Sequence, residues 1–210
     1  MTDLITIGDL SCPAGELLNY AETYLQTPGE FAYPAYDGYK GSPGRGIEEC
    51  DLLAIALLNA GSKPITTFYT LKSLLDPVNE RLADPRLSGT LSDAGQPQLD
   101  AVADLFGVLD ERQTPQVNLT KLAKVVHRKN PELIPLFDRQ VRRLYQGRVP
   151  RDNKRSYRDF ILAWLPEVQA DLRRHHEFWL EVTQLAQRDV PITPLRALDI
   201  IAWHLGGQPR

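Results

Sequence analysis

The 210-residue sequence predicts an all-α protein, a single compact domain of about nine helices. Three observations carry that expectation. Apolar residues recur at spacings of three and four along most of the chain. Start and stop signals bracket those stretches, including Pro13, Asn118, Thr193-Pro194 and Gly206-Gly207. Period-two alternation is missing, apart from a possible short extended piece at Leu4–Ile7. No glycine-rich linker with a composition shift on both sides divides the chain.

The elements follow in order. Residues 13–26 read as a helix with Leu17, Leu18, Ala21, Tyr24 and Leu25 on one face and Thr27-Pro28-Gly29 as its stop. Residues 28–46 read as a long loop rich in Tyr, Gly and Pro, the kind of segment that is often functional. Glu48 to Ala60 is apolar nearly all round and reads as the central buried helix. A helix then starts near Ser62-Lys-Pro-Ile and runs to about Leu75, followed by a short turn over 77–83. Residues 84–97 are polar loop, and Gln98–Leu109 is helix. Asn118 caps a basic helix, Leu119–Arg128, which Asn130-Pro131 ends. Asp138–Gln146 is the next helix, with Val141, Leu144 and Tyr145 inward. Residues 147–155 are basic loop, and Ser156–Trp164 is helix. Pro166 opens or kinks a long helix to about Gln187, and the last helix starts at Thr193-Pro194. Trp164, Trp179 and Trp203 are expected in the core.

Composition narrows the function classes. The N-terminus MTDLITIGDL has no basic segment followed by an apolar one, which argues against a signal peptide. No apolar run approaches the roughly 20 residues that cross a bilayer. The expected location is cytoplasmic, without a membrane partner, with Cys12 and Cys50 as free thiols. His175-His176 point about 100° apart on a helix, and no H-E-x-x-H spacing exists, so no metal is expected. No phosphate-cradling glycine loop or other cofactor motif is present, so no cofactor is expected.

Residues 121–160 hold 12 of the 24 Lys and Arg residues but only four acids, in a chain of net charge −3. That segregation reads as a footprint for an anionic partner: DNA, RNA or a nucleotide, or alternatively an acidic protein. Lys121, Lys124 and Arg128 fall at helical spacing and predict one cationic stripe; Arg139, Arg142 and Arg143 predict a second. The competing reading is a solvated surface that pairs with the chain's own acids. Asp138 stands amid these cations, which favour an ionised carboxylate. It fits two compatible roles, a helix N-cap and a reacting carboxylate. Tyr33, Tyr36, Asp37 and Tyr39 in the long loop fit two others: rings that stack on a base or sugar, or aromatics that pin the loop over the core. His127, within the basic run, is expected at the surface.

The run Lys121-Leu-Ala-Lys-Val-Val-His-Arg-Lys-Asn-Pro-Glu-Leu-Ile-Pro-Leu-Phe-Asp-Arg-Gln-Val141 resembles the signature of an uncharacterised, mainly actinobacterial family. The resemblance extends to Tyr36-Asp-Gly-Tyr39, Asp51-Leu-Leu, Leu57-Leu-Asn59 and Ile192–Trp203, hence over most of the chain. More remotely, the Lys…Pro…Ile-Pro…Asp…Val order is similar to the segment of helix-hairpin-helix base-excision glycosylases that carries their catalytic aspartate. That similarity implies Asp138 as the catalytic carboxylate and Lys124 as a lysine facing the nucleic-acid backbone. The departures are specific. Pro-Leu-Phe-Asp138 is one residue longer than Pro-Val-Asp, residues 114–120 contain no glycine hairpin, and Glu111–Leu119 holds no lysine. No cysteine cluster exists for an iron–sulfur centre. Only the fold and Asp138 carry over.

Overall fold

The structure, a computed structural model, describes residues 3–150, 152 and 154–208; Arg151 of the basic stretch lies outside them. Among the described residues the chain forms nine α-helices, three 3-10 segments and one β-hairpin. The all-α expectation holds. The extended piece Leu4–Ile7 (β1) is real, and it has an unforeseen partner, Leu10–Pro13 (β2). The strands are antiparallel, with Ile7 opposite Leu10, and Gly8-Asp9 makes the two-residue turn. Gly8 has φ +54, and a side chain there would strike the Leu144 backbone. The Gly8 amide donates to Asp171 (2.7 Å) and the Asp9 amide to the Leu144 carbonyl (2.9 Å), so the hairpin is pinned to two later helices.

Helix α1 (Ala14–Gln26) buries Leu17, Ala21, Tyr24 and Leu25, close to the predicted face. The central buried helix expected over 48–60 forms only in part, over 49–57, and is not buried all round. Glu49–Leu53 is a 3-10 segment, followed by one turn of α-helix, α2 (Ala54–Leu57), with Leu53 exposed. Asp51 anchors the start of this segment. Its carboxylate turns inward to the amides of Ser42 (3.1 Å) and Glu48 (2.7 Å), to the Ser42 hydroxyl and to the Lys129 ammonium (3.1 Å), which tightens the first turn. Asn59 then turns left-handed, with φ +51, and ends the element.

Helix α3 (Pro64–Leu82) and helix α7 (Tyr157–Arg174) continue past Pro77 and Pro166, where the sequence predicts a break and an opening or kink. Each proline forfeits one backbone hydrogen bond. The buried stripes Leu71, Leu74, Val78, Leu82 and Ile161, Trp164, Leu165, Val168, Leu172 continue past them, so packing outweighs the local cost. The long helix expected to reach Gln187 instead breaks at His175, whose Nε2 accepts from the Thr6 amide (3.0 Å), and α8 (His176–Gln184) follows.

Helix α4 (Gln96–Gly107) packs on α7, and α6 (Arg139–Leu144) and α8 pack on α9 (Pro194–Gly207). Helix α5 (Leu119–Val126) takes the central position that α2 does not: every residue but Thr120 is buried. The caps stand where the sequence puts them. Asn118, Asp138 and Thr193 each accept from an amide in the first turn of α5, α6 and α9. Where α9 meets α6, Gly206 lies so close to the Gln140 backbone that a Cβ would collide with it. No helix among the described residues is long and apolar enough to cross a membrane.

Candidate functional site

The predicted first cationic stripe is corrected by the structure: Lys121 and Lys124 are only 6% and 8% exposed. Helix α5 is largely enclosed, so its ammonium groups turn to protein oxygens rather than to bulk water. Lys121 donates to the Ser62 carbonyl (3.1 Å) and the Thr67 hydroxyl (2.8 Å). Lys124 donates to the Leu58 carbonyl (2.8 Å), and burial lowers the pKa of both lysines, against the pull of Asp138 and Asp199 on Lys124. Arg128 does not join them on a face. Its guanidinium donates to the Tyr36 carbonyl and lies 5.3 Å from the rings of both Tyr36 and Tyr39. His127 is buried rather than exposed, its Nδ1 2.6 Å from the Ile134 carbonyl, and burial pushes its pKa down to about 4.

The tyrosine loop is pinned inward. Tyr36 is buried and donates to the Lys124 carbonyl (2.8 Å), and burial raises its phenol well above the usual range. A ring held there has no face for a base. Tyr39 is half-buried and donates to the Cys50 carbonyl (2.7 Å). Asp37 forms a two-pronged ion pair with Arg196 (2.8 and 3.1 Å). Tyr36, Asp37 and Tyr39 thus join loop to core.

Asp138 is different. One carboxylate oxygen accepts from the Val141 amide (3.0 Å) and caps α6; the other has no protein partner among the described residues. Asp138 lines two adjoining hollows. The first, of about 820 Å³, has Lys124, Arg196 and Asp199 in its wall, with Tyr24, Phe31 and Trp203 as its aromatic surface. The second, of about 680 Å³, is lined by Arg139, Arg142, Arg143 and Arg155, with Phe137 and Phe160. Arg139 is exposed; Arg142 is half-buried, its guanidinium 5.7 Å from the Phe160 ring. Arg143 donates to the Gln208 carbonyl (2.8 Å). Asn118, Thr120, Phe137, Asp138 and Arg139 border both hollows, so the two form one cleft with Asp138 at the divide.

Sequence reasoning misses the floor of this cleft. Trp203, expected in the core, is 39% exposed and faces the first hollow. Arg196 and Asp199 are buried and paired, and Arg196 also donates to the Tyr24 hydroxyl (3.2 Å). A signal was present: two opposite charges three residues apart, on one face of a helix otherwise made of Leu195, Ala197, Leu198, Ile200 and Ile201. The Asp199 carboxyl has a pKa raised to about 6. Burial is the main cause; Arg196 opposes it and Asp138 adds to it. Arg196 is shared between Asp199 and Asp37.

Fold and cleft together define an all-α protein with a bipartite polar cleft, basic in one half and aromatic in the other. The chain belongs to the family of unknown function DUF6308, whose sequence pattern matches residues 17–206. No curated protein and no solved structure matches the chain.

Proposed function

We propose that the chain binds a nucleic-acid strand or nucleotide in this cleft and acts on it, with Asp138 as the reacting carboxylate. The observation that carries the reading is that Asp138 borders both hollows, with one oxygen that no described residue occupies. Phosphate sits against Arg139, Arg142 and Arg155, whose charge-assisted hydrogen bonds suit its oxygens. The attached sugar then lies beside Asp138, and the base reaches Tyr24, Phe31 and Trp203, where ring faces can stack on it. A carboxylate beside a sugar C1′ opposes the positive charge that grows as an N-glycosidic bond breaks. This chemistry agrees with the remote glycosylase similarity of the segment around Asp138.

The test is fluorescence anisotropy with labelled single- and double-stranded oligonucleotides at two salt concentrations. Wild type should bind in a salt-sensitive way, each neutralised duplex phosphate adding about −0.9 to the log–log slope. Arg139→Glu/Arg142→Glu should abolish that binding. Asp138→Asn keeps a good N-cap residue, so it should fold and bind while base release falls by roughly 100-fold or more. Unchanged release would remove Asp138 from the chemistry. No oligonucleotide binding at low salt, with one stoichiometric acidic protein partner in a pull-down, would replace the reading with a protein-docking module.

A further inference from the structure

We propose that Asp199 is a second reacting carboxylate of the cleft, one that donates a proton to the leaving nitrogen of the base. The inference rests on the glycosidic reading above. It starts from placement. Asp199 and Asp138 come from different segments, and both line the first hollow together with Lys124. Arg196 holds one Asp199 oxygen by its Nη1, and the other oxygen has no protein partner among the described residues. The hollow therefore offers two carboxyl oxygens that no protein donor occupies, one on Asp138 and one on Asp199. Two carboxylates with different surroundings are what acid-assisted cleavage of a glycosidic bond requires.

The charges around Asp199 assign the two roles. Arg196 faces it on its own helix, Tyr20 and Tyr24 from α1, Tyr36 from the long loop, Lys124 from α5, and Asp138 from the segment before α6; Asp37 of the long loop sits on the other side of Arg196. Burial outweighs the cations, so the carboxyl holds its proton up to about pH 6. Asp138 is half-buried rather than buried. Asp199 is thus the acid and Asp138 the charge-bearing partner.

The step balances without a further reactant. The C1′–N bond breaks, and its electron pair goes to the base. The base nitrogen takes the proton from Asp199, and Asp138 opposes the cationic sugar. Water then adds to C1′, and its proton returns to the Asp199 carboxylate. The products are the free base and the sugar hemiacetal.

The experiment compares two single-stranded oligonucleotides, one carrying hypoxanthine and one carrying N7-methylguanine. Hypoxanthine needs a proton to leave well. N7-methylguanine already carries a positive charge and needs none. Wild type should release both, and hypoxanthine release should decline as pH rises above about 6. Asp199→Asn should slow hypoxanthine release by roughly 100-fold and remove its pH dependence. N7-methylguanine release should change by less than about threefold, because charge on the base replaces the acid. Equal loss on both oligonucleotides, or loss on neither, overturns the role of Asp199 and leaves the glycosidic reading standing. If wild type neither binds nor cleaves either strand, that reading fails and takes this inference with it. Should Asp199→Asn fail to fold by near-ultraviolet circular dichroism, Asp199→Glu replaces it. That variant keeps an acid and should retain the pH-dependent release of hypoxanthine; a folded Glu variant that releases it at a pH-independent rate overturns the proposal.

Discussion

Two stretches of this chain have nearly the same charge and opposite fates. Residues 121–129 carry Lys121, Lys124, Arg128 and Lys129; residues 139–143 carry Arg139, Arg142 and Arg143. The first set points inward and fastens loops. Lys121 holds Ser62, Lys124 holds Leu58, Arg128 holds Tyr36, and Lys129 holds Ser42 and Asp51. Lys121 and Lys124 also line the first hollow, but their ammonium groups are taken up by protein oxygens. Arg139 and Arg142 of the second set instead border the cleft with no ion pair among the described residues. The difference lies in what surrounds each helix. Helix α5 is enclosed by other elements, so its cations must find oxygens inside the protein. Helix α6 buries only Val141 and Leu144, and its other faces stay near solvent. Clustered charge in a sequence therefore locates cations without saying whether they serve the fold or a ligand.

That contrast can be broken at its strongest point. Lys129→Met would strip the buried Asp51 carboxylate of its cation, leaving only hydroxyl and amide donors. Stability should fall by roughly 3–5 kcal/mol in urea denaturation. A loss below about 1 kcal/mol would mean the inward set does not carry the fold.

The next effect is set by pH. His127 ionises at about 4 in the folded chain and near 6.5 when unfolded, so between those values the unfolded chain binds more protons. Its contribution to stability is complete above about pH 6.5 and falls by roughly 3 kcal/mol as pH drops to 4. Asp199 works in the other direction. Its folded pKa, about 6, lies above the unfolded value, so it adds stability as pH falls through the same window. The His127 contribution must therefore be read as the difference between wild type and His127→Asn titrated side by side. A constant difference across pH 4–7 would show that the ring is not buried in neutral form.

The smallest expected effect sharpens the other side of the comparison. Arg139→Glu/Arg142→Glu should leave the unfolding free energy in urea within about 0.5 kcal/mol of wild type, since neither guanidinium forms an ion pair among the described residues. A large loss would make the second stretch structural as well.

The legible parts of the molecule were local. Asn118, Asp138 and Thr193 cap the helices their sequence positions mark, because capping is settled within three residues. Of the hairpin only its first strand, Leu4–Ile7, was legible, although Gly8-Asp9 is a local turn signal. What could not be read depends on distant oxygens. Lys124 is buried because Leu58, 66 positions away, offers it a carbonyl. Asp51 is buried because Lys129, far along the chain, and Ser42 meet its carboxylate. At the candidate site, the sequence marks Asp138 and the outward arginines. The floor built by Arg196, Asp199 and Trp203 emerges only when α9 is laid against α1, α5 and α6.

The contact between Gly206 and Gln140 bears on that floor. Gly206 lies two turns along α9 from Asp199, and Gln140 lies two residues past Asp138. The helices touch there backbone to backbone, with no side chain between them. The spacing of α6 and α9 is thus gauged by an atom that is missing. Any residue larger than glycine would act as a shim, opening the jaws of the cleft from a point outside it.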